Sequence, residues 1–246
     1  MDIKKGVSPI IVFVLFILVW QLVPIHPLVL PKPYTVFLRV VTDISNGILV
    51  GETIVTLQEI LLGFAISSVL AVLIGILVGE FDFLKNAIYP YLIAIQATPV
   101  MTIAPIIILI FGYGIMSKVV IGGLISFFPI LTNVVNGLNS VDKELLELIK
   151  SFRASRFKVL TKVKLPCALP YIFTGLETSS VICVVGVIFG EFLGSSSGLG
   201  NYIVAKQFNL DSSAIFSAVV ILTLIGMLMF FSIRLIHKKV TFWEGK

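Results

Sequence analysis

The chain has 246 residues, a net charge of +5, 13% charged residues and 58% hydrophobic ones, with a mean hydropathy of +1.10. Soluble domains carry about 25% charged residues and roughly 45–50% apolar ones. So much apolar surface excludes a water-facing enzyme, and the low charge excludes a disordered chain. What remains is an all-α integral membrane protein, long enough for about six crossings of roughly 20 residues each and too short for a large soluble domain besides.

The first apolar run is Val7–Val23, behind Lys4 and Lys5. A signal peptide has the same outline, but no small-residue cleavage site follows, and the run reads as a retained first span. Pro24, Pro27, Pro31 and Pro33 then make a stiff, non-helical connection. Val36, Phe37, Val40, Val41 and Ile44 recur at helical spacing before Asn46-Gly47. They predict a short amphipathic helix, lying on the membrane surface or packed on the spans. Five more spans are expected over 54–79, 87–111, 119–138, 168–193 and 214–236, so that 1–246 forms a single transmembrane domain. Cys167 and Cys183 have no metal-binding spacing and read as unpaired small hydrophobes.

Six spans put both termini and the loops after spans two and four on one side. Of the 18 Lys and Arg residues, only Lys32, Arg39, Lys118 and Lys206 fall on the other side. Basic loops stay in the cytoplasm, so the expected place is the cell membrane, with both ends cytoplasmic.

Two stripes of small residues predict close helix packing, within the chain or across a dimer. One is Ser67, Ala71, Gly75 and Gly79 in span two; the other is Gly186, Gly190, Gly194 and Gly198 at the end of span five. Span three carries Thr98-Pro99 and Pro105, and span four carries Pro129. Proline breaks in a span persist only where protein or a water-filled cavity satisfies the freed backbone groups. Gln96, Thr98, Pro99 and Thr102 sit at one such break and form a candidate translocation path; a kinked packing helix with a satisfied Gln reads equally from the pattern. Glu177, inside span five beside Thr178, Ser179 and Ser180, is a further path candidate or a member of a buried polar network. Glu191, which closes span five, is either a functional candidate or a residue of the outer headgroup layer, and Glu59, near the outer start of span two, reads as interfacial.

The one long polar stretch is the loop 139–166. Leu145, Leu148, Ile149 and Phe152 form an apolar stripe at i, i+3, i+4, i+7. Ser140 is the expected cap of this helix, with Glu144 in its first turn. Ser155 is the expected cap of a second helix with Phe157, Leu160 and Val163 on one face, ended by Leu165-Pro166. Helices this small form no core of their own. They either enter a groove of a partner protein or lie flat on lipid.

The loop resembles the "EAA" loop of permease subunits of ABC importers. Glu147-Leu148-Ile149 takes the E-A-A place, Arg153-Ala154-Ser155 the G-A-S place, and Leu165-Pro166, Pro170 and Gly175-Leu176 complete the pattern. Outside the loop the likeness includes Thr56-Leu57-Gln58, Gly63-Phe64, Ala97-Thr98-Pro99, Ala104-Pro105, Phe111-Gly112-Tyr113-Gly114, Phe127-Phe128-Pro129-Ile130, Gly190-Glu191-Phe192 and Gly198-Leu199-Gly200. It spans about residues 20–237. The family usually has Gly where Arg153 stands, so Arg153 must take up the turn at some cost or cap the carbonyls ending the first helix.

The resemblance implies a permease subunit that pairs with a second permease copy, an expected homodimer. Two cytoplasmic ATPase subunits and an extracytoplasmic solute-binding protein complete the importer. It makes Glu144, Leu145, Glu147, Leu148, Ile149, Phe152, Arg153, Ala154, Ser155 and Pro166 the ATPase-coupling segment. The chain has no G-x-x-x-x-G-K-[ST] loop, so ATP and Mg are expected on the partner and no cofactor on this chain. The overall pattern is most similar to the nitrate, taurine, alkanesulfonate and thiamine-precursor group. Rival readings are an ATP-independent secondary transporter or channel, for which neither an inverted repeat nor paired ionisable residues are present, and a membrane scaffold, which leaves the broken span without a role. His26 and His237 fall on opposite sides of the membrane, so no enzyme-like cluster forms.

Overall fold

A computed structural model describes residues 3–243, without the side chains of 3–10, 89, 93, 96, 97, 100, 143 and 150. The elements are helices: α1 (Ile3–Leu22), α2 (Pro33–Ser45), α3 (Ile48–Glu80), α4 (Asp82–Ala97), α5 (Val100–Phe111), α6 (Ile115–Asn139), α7 (Lys143–Ser151), α8 (Arg156–Val159), a π-helical turn (Leu160–Lys164), α9 (Leu165–Gly194), α10 (Leu199–Phe208) and α11 (Ser212–Val240). Among the described residues four helices are long and apolar enough to cross a membrane: α3, α6, α11 and the run Arg156–Gly194. Ile11–Leu22 and Met101–Phe111 are shorter apolar helices. The third expected span is two helices, because Pro99 has no N–H to continue α4.

The centre is α6, flanked by α3 on one side and α9 on the other. Both seams are made by small side chains. Ser67, Ala71 and Gly75 of α3 are buried, and a Cβ on Gly75 would stand 2.7 Å from Val134 Cβ. The Ser67 and Ser126 hydroxyls meet at 2.9 Å across this seam. On the other side a Cβ on Gly186 would lie 2.9 Å from Gly122 Cα. Lipid offers no hydrophobic drive for helix association, so contact at this range, multiplied along two seams, supplies the attraction. The first small-residue stripe therefore packs within the chain. The second ends at Gly194; Gly198 lies beyond α9, at the start of α10, with φ of 100°.

Around this trio α11 packs on α9, and α10 fills the corner between them. The amphipathic α2 lies on α11. It is tied by Arg39, whose guanidinium reaches Asp43 at 2.8 Å and Asp211 at 3.0 Å. Tyr202 of α10 donates to the same Asp43 carboxylate at 2.6 Å. Burial, then Asp43, pushes the Tyr202 hydroxyl up to about 12. So α2 has one face on the spans and leaves Phe37 and Val41 exposed on the other. The side chains of Ile11–Leu22 are largely exposed, with Trp20 meeting Phe216 at 5.7 Å.

Replacing Gly75 by Val forces the α3–α6 seam apart and should lower stability by ~1–3 kcal/mol. Gly51→Ala, where nothing lies within 4 Å of the new Cβ, should be neutral or mildly stabilising. Thermal melting of the detergent-purified protein checks both.

Candidate functional site

The loop after α6 forms a helix, a turn and a second helix. Asp142 begins the first helix: its Oδ1 accepts the Glu144 N–H at 3.0 Å. Ser140, the cap expected from sequence, instead donates to Gly137 O at 2.8 Å and closes α6. Since α7 starts at Lys143, Ser140 is two residues too early to reach its first free amides. In α7, Leu145 and Leu148 are 41% and 56% exposed, and Phe152 just beyond is 77% exposed. Glu144 and Glu147 are also exposed, and Ile149 is half-buried.

The turn falls on Phe152 and Arg153, and Arg153 has φ of 55°. This is the left-handed conformation that glycine adopts freely and a branched chain at a cost. Of the two sequence readings of Arg153, the strained turn is the one realised in the backbone. Ser155 stands at the N-cap of α8 in extended conformation, but its hydroxyl makes no capping bond; Ala154 before it is half-buried.

The second helix does not end at Leu165-Pro166. The Leu165 N–H bonds back five residues to Leu160 O, and the helix runs on through Pro166 into α9. Proline at 166 removes one N–H and crowds the carbonyl four residues earlier. One widened turn relieves the crowding and keeps the helix whole. The loop therefore feeds directly into a span. It is braced there by Lys164 Nζ on Glu80 Oε2 at 2.7 Å, at the end of α3, and Lys85 Nζ reaches Asn139 Oδ1 at 3.0 Å.

The α4–α5 break is satisfied by its own threonines. Thr98 Oγ1 donates to Ala94 O at 3.2 Å, and the Thr102 amide bonds to Pro99 O at 2.8 Å. Thr98, Pro99 and Thr102 are exposed on this chain; the Gln96 side chain lies outside the described residues. Glu177 is elsewhere. Its Oε1 is 2.6 Å from His237 Nδ1, and the His237 ring stacks on Phe173 at 5.2 Å. The cavity that Glu177 lines takes no residue from the break. The structure thus does not join the proposed path residues into one lining within a single chain.

The far ends of the spans hold a cluster of buried charged groups. Glu59 and Glu191 are 2% and 1% exposed, enclosed within the protein. The start of α10 folds over Glu191 and supplies donors, whereas Glu59 Oε2 has no hydrogen-bond partner among the described residues. Thr56 Oγ1 donates to Glu191 Oε1 at 2.7 Å and accepts the Leu199 N–H at 2.8 Å. The Gly200 amide donates to Glu191 Oε2, and the Gly198 amide to the Glu52 carboxylate. Carboxylates at a helix N-terminus also meet its positive dipole end. Lys118, fully buried, donates to Gly114 O at 3.2 Å and Gly194 O at 2.6 Å. The Gly198-Leu199-Gly200 motif was the available signal: two glycines around a helix start, where amides are free to bind an acid.

The chain matches the family described as the binding-protein-dependent transport system inner membrane component over residues 67–242. It is 31% identical over 245 residues to the formylaminopyrimidine transport permease protein ThiX of Halalkalibacterium halodurans, covering 98% of each chain. It is 32% identical to the putative aliphatic sulfonates transport permease protein SsuC of Bacillus subtilis, covering 93% of this chain and 84% of that one. Its fold is that of the inward-facing MetNI methionine ABC transporter: TM-score 0.65 at 20% identity, over 77% of this chain and 96% of that one.

Arg153→Gly should relieve the left-handed turn and raise stability by about 1 kcal/mol. Arg153→Val should lower it by a similar amount, since a β-branched residue is worse in that region. Denaturant or thermal melts of the two variants side by side test the assignment.

Proposed function

This chain belongs to the family of inner membrane components of binding-protein-dependent transport systems, and we propose that α7 with its flanking turn is the part that meets the ATPase. As an ABC importer permease it is a multi-pass membrane subunit that works with a separate ATPase and a solute-binding protein, and it does not itself hydrolyse ATP. The observation that carries the docking reading is the outward apolar face of Leu145, Leu148 and Phe152. Leu145 and Leu148 lie on a helix of nine residues that has no core of its own, and Phe152 lies in the turn just after it. Seated in a groove of the ATPase, that face leaves water, and Glu144 and Glu147 supply charge-assisted contacts at the rim. Ile149 and Ala154 are half-buried, and Arg153, Ser155 and Pro166 set the turn and the junction to α9. ATP and Mg belong to the partner.

The excess of Lys and Arg near α7 and at both ends supports a cytoplasmic loop and cytoplasmic termini. Two copies of this chain would enclose the path. Gln96, Thr98, Pro99, Thr102 and Glu177 remain the candidates for its lining. The exposure of the α4–α5 break on a single chain supports a break that faces a second copy.

For the solute, two relatives at nearly equal identity, 31% and 32%, carry names of unlike cargo, a pyrimidine and a sulfonate. Selectivity then sits mainly with the binding protein. The match to the pyrimidine permease over nearly the whole of both chains favours a thiamine-precursor pyrimidine. Lys118, held by carbonyls beside two carboxyls, offers no free cation for an oxyanion.

In the reconstituted importer, Glu147→Lys should cut solute-stimulated ATPase activity at least tenfold while membrane insertion stays normal. Unchanged coupling in that variant, and in Phe152→Ala, would remove α7 from the interface. Uptake of radiolabelled formylaminopyrimidine should depend on the chain and resist competition by excess alkanesulfonate; the reverse pattern would assign the sulfonate.

A further inference from the structure

The seam between α9 and α11 holds two cavities that share one residue. The upper one is an apolar slot of about 640 Å³, lined by α9 residues such as Val181, Val185 and Phe189, α11 residues such as Met227, and Phe230. The lower one, about 650 Å³, is lined by Phe230, Arg234, Lys238, Thr241, His237 and Glu177, with Phe242 at its edge. Phe230 lines both, so the two cavities adjoin at that ring.

The two parts differ in chemistry. Arg234 and Lys238 follow at i and i+4 on one face of α11, where the apolar run ends, and Thr241 caps its C-terminal end. Among the described residues neither Arg234 nor Lys238 has a carboxylate within ion-pair distance. The Arg234 guanidinium lies 5.8 Å from the centre of the Phe230 ring. Glu177, the one acid lining the cavity among the described residues, is engaged by His237 at 2.6 Å. The lower cavity therefore keeps an uncompensated positive charge, at the depth where a span leaves hydrocarbon.

We propose that the α9–α11 seam is a binding site for one anionic phospholipid, with an acyl chain in the apolar slot and the phosphate between Arg234 and Lys238. An apolar slot adjoining a basic pocket matches an amphiphile with one charged end, and the sign of the charge selects an anionic headgroup. A free anion would fill the lower cavity alone. A second copy of the chain would use the slot and leave the two cations without a partner. The site depends on α11 crossing the membrane, and it is independent of the solute and of the ATPase contact.

Gly226 gives a way to test the slot separately from the charges. It lines the slot, and nothing lies within 4 Å of a Cβ built on it. Gly226→Leu therefore fills slot space without forcing helices apart. The purified permease–ATPase complex in nanodiscs of mixed phosphatidylglycerol and phosphatidylcholine, examined by native mass spectrometry, should retain phosphatidylglycerol preferentially. Each Lys or Arg near an anionic surface is worth roughly a fivefold preference, so Arg234→Gln with Lys238→Gln should lower that retention by at least tenfold. Gly226→Leu should lower retention too, with the melting temperature unchanged. Equal retention of the two lipids, or no loss in the double variant, overturns the proposal. Saturable binding of inorganic phosphate with no lipid preference overturns it in favour of a free anion. Conversion of a permease dimer to monomers by Gly226→Leu overturns it in favour of a seam between copies.

Discussion

The structure depends on how closely three helices approach in a solvent that gives them no hydrophobic reason to associate. α6 is sandwiched between α3 and α9, and at Gly75 and Gly186 the neighbouring helix occupies the space a side chain would need. In hydrocarbon the attraction has to come from dispersion at short range and from a few hydrogen bonds, such as Ser67 to Ser126 at 2.9 Å. A sheet edge or an open loop has no place there. Everything else is arranged on this trio: α10 and α11 against α9, α2 against α11, and the loop helices at the end of α6.

The two ends of the trio are built differently. At the α10 end, Glu191 and Lys118 are buried and satisfied by amides, a hydroxyl and carbonyls. Burying such groups unpaired would cost several kcal/mol each, so α10 and the Glu191 carboxylate hold each other in place. At the other end, the brace between Glu80 and Lys164 is partly open to water, and the apolar residues of α7 face outward. One end is sealed within the chain; at the other, the apolar residues of α7 stay open on a single chain.

Much of this was legible in the residues, and the failures have physical causes. Hydropathy located the long helices because a span must be apolar along its whole length. The Ser67–Ala71–Gly75 stripe revealed a close seam because only small side chains permit one. The strained turn at Arg153 was legible against a family pattern with Gly in that place. The enclosure of Glu191 within the protein was not legible, because depth along a helix says nothing about a cover supplied by a segment such as Leu199–Phe208. The Glu177–His237 and Glu80–Lys164 pairs join residues 60 and 84 positions apart, beyond any local pattern. Pro166 was read as a stop because proline usually is one; a single π-helical turn let the helix pass.

That passage has a mechanical consequence. Arg156 to Gly194 is one unbroken helix of 39 residues, about 58 Å long at 1.5 Å per residue. It begins four residues after Phe152 and carries Glu191 near its other end. A rod of this length is a lever: a tilt of ~5° about its loop end displaces the opposite end by about 5 Å, one helical turn. A force applied at the loop would reach the α10 corner along one continuous helix, which packs closely against Gly122 of α6.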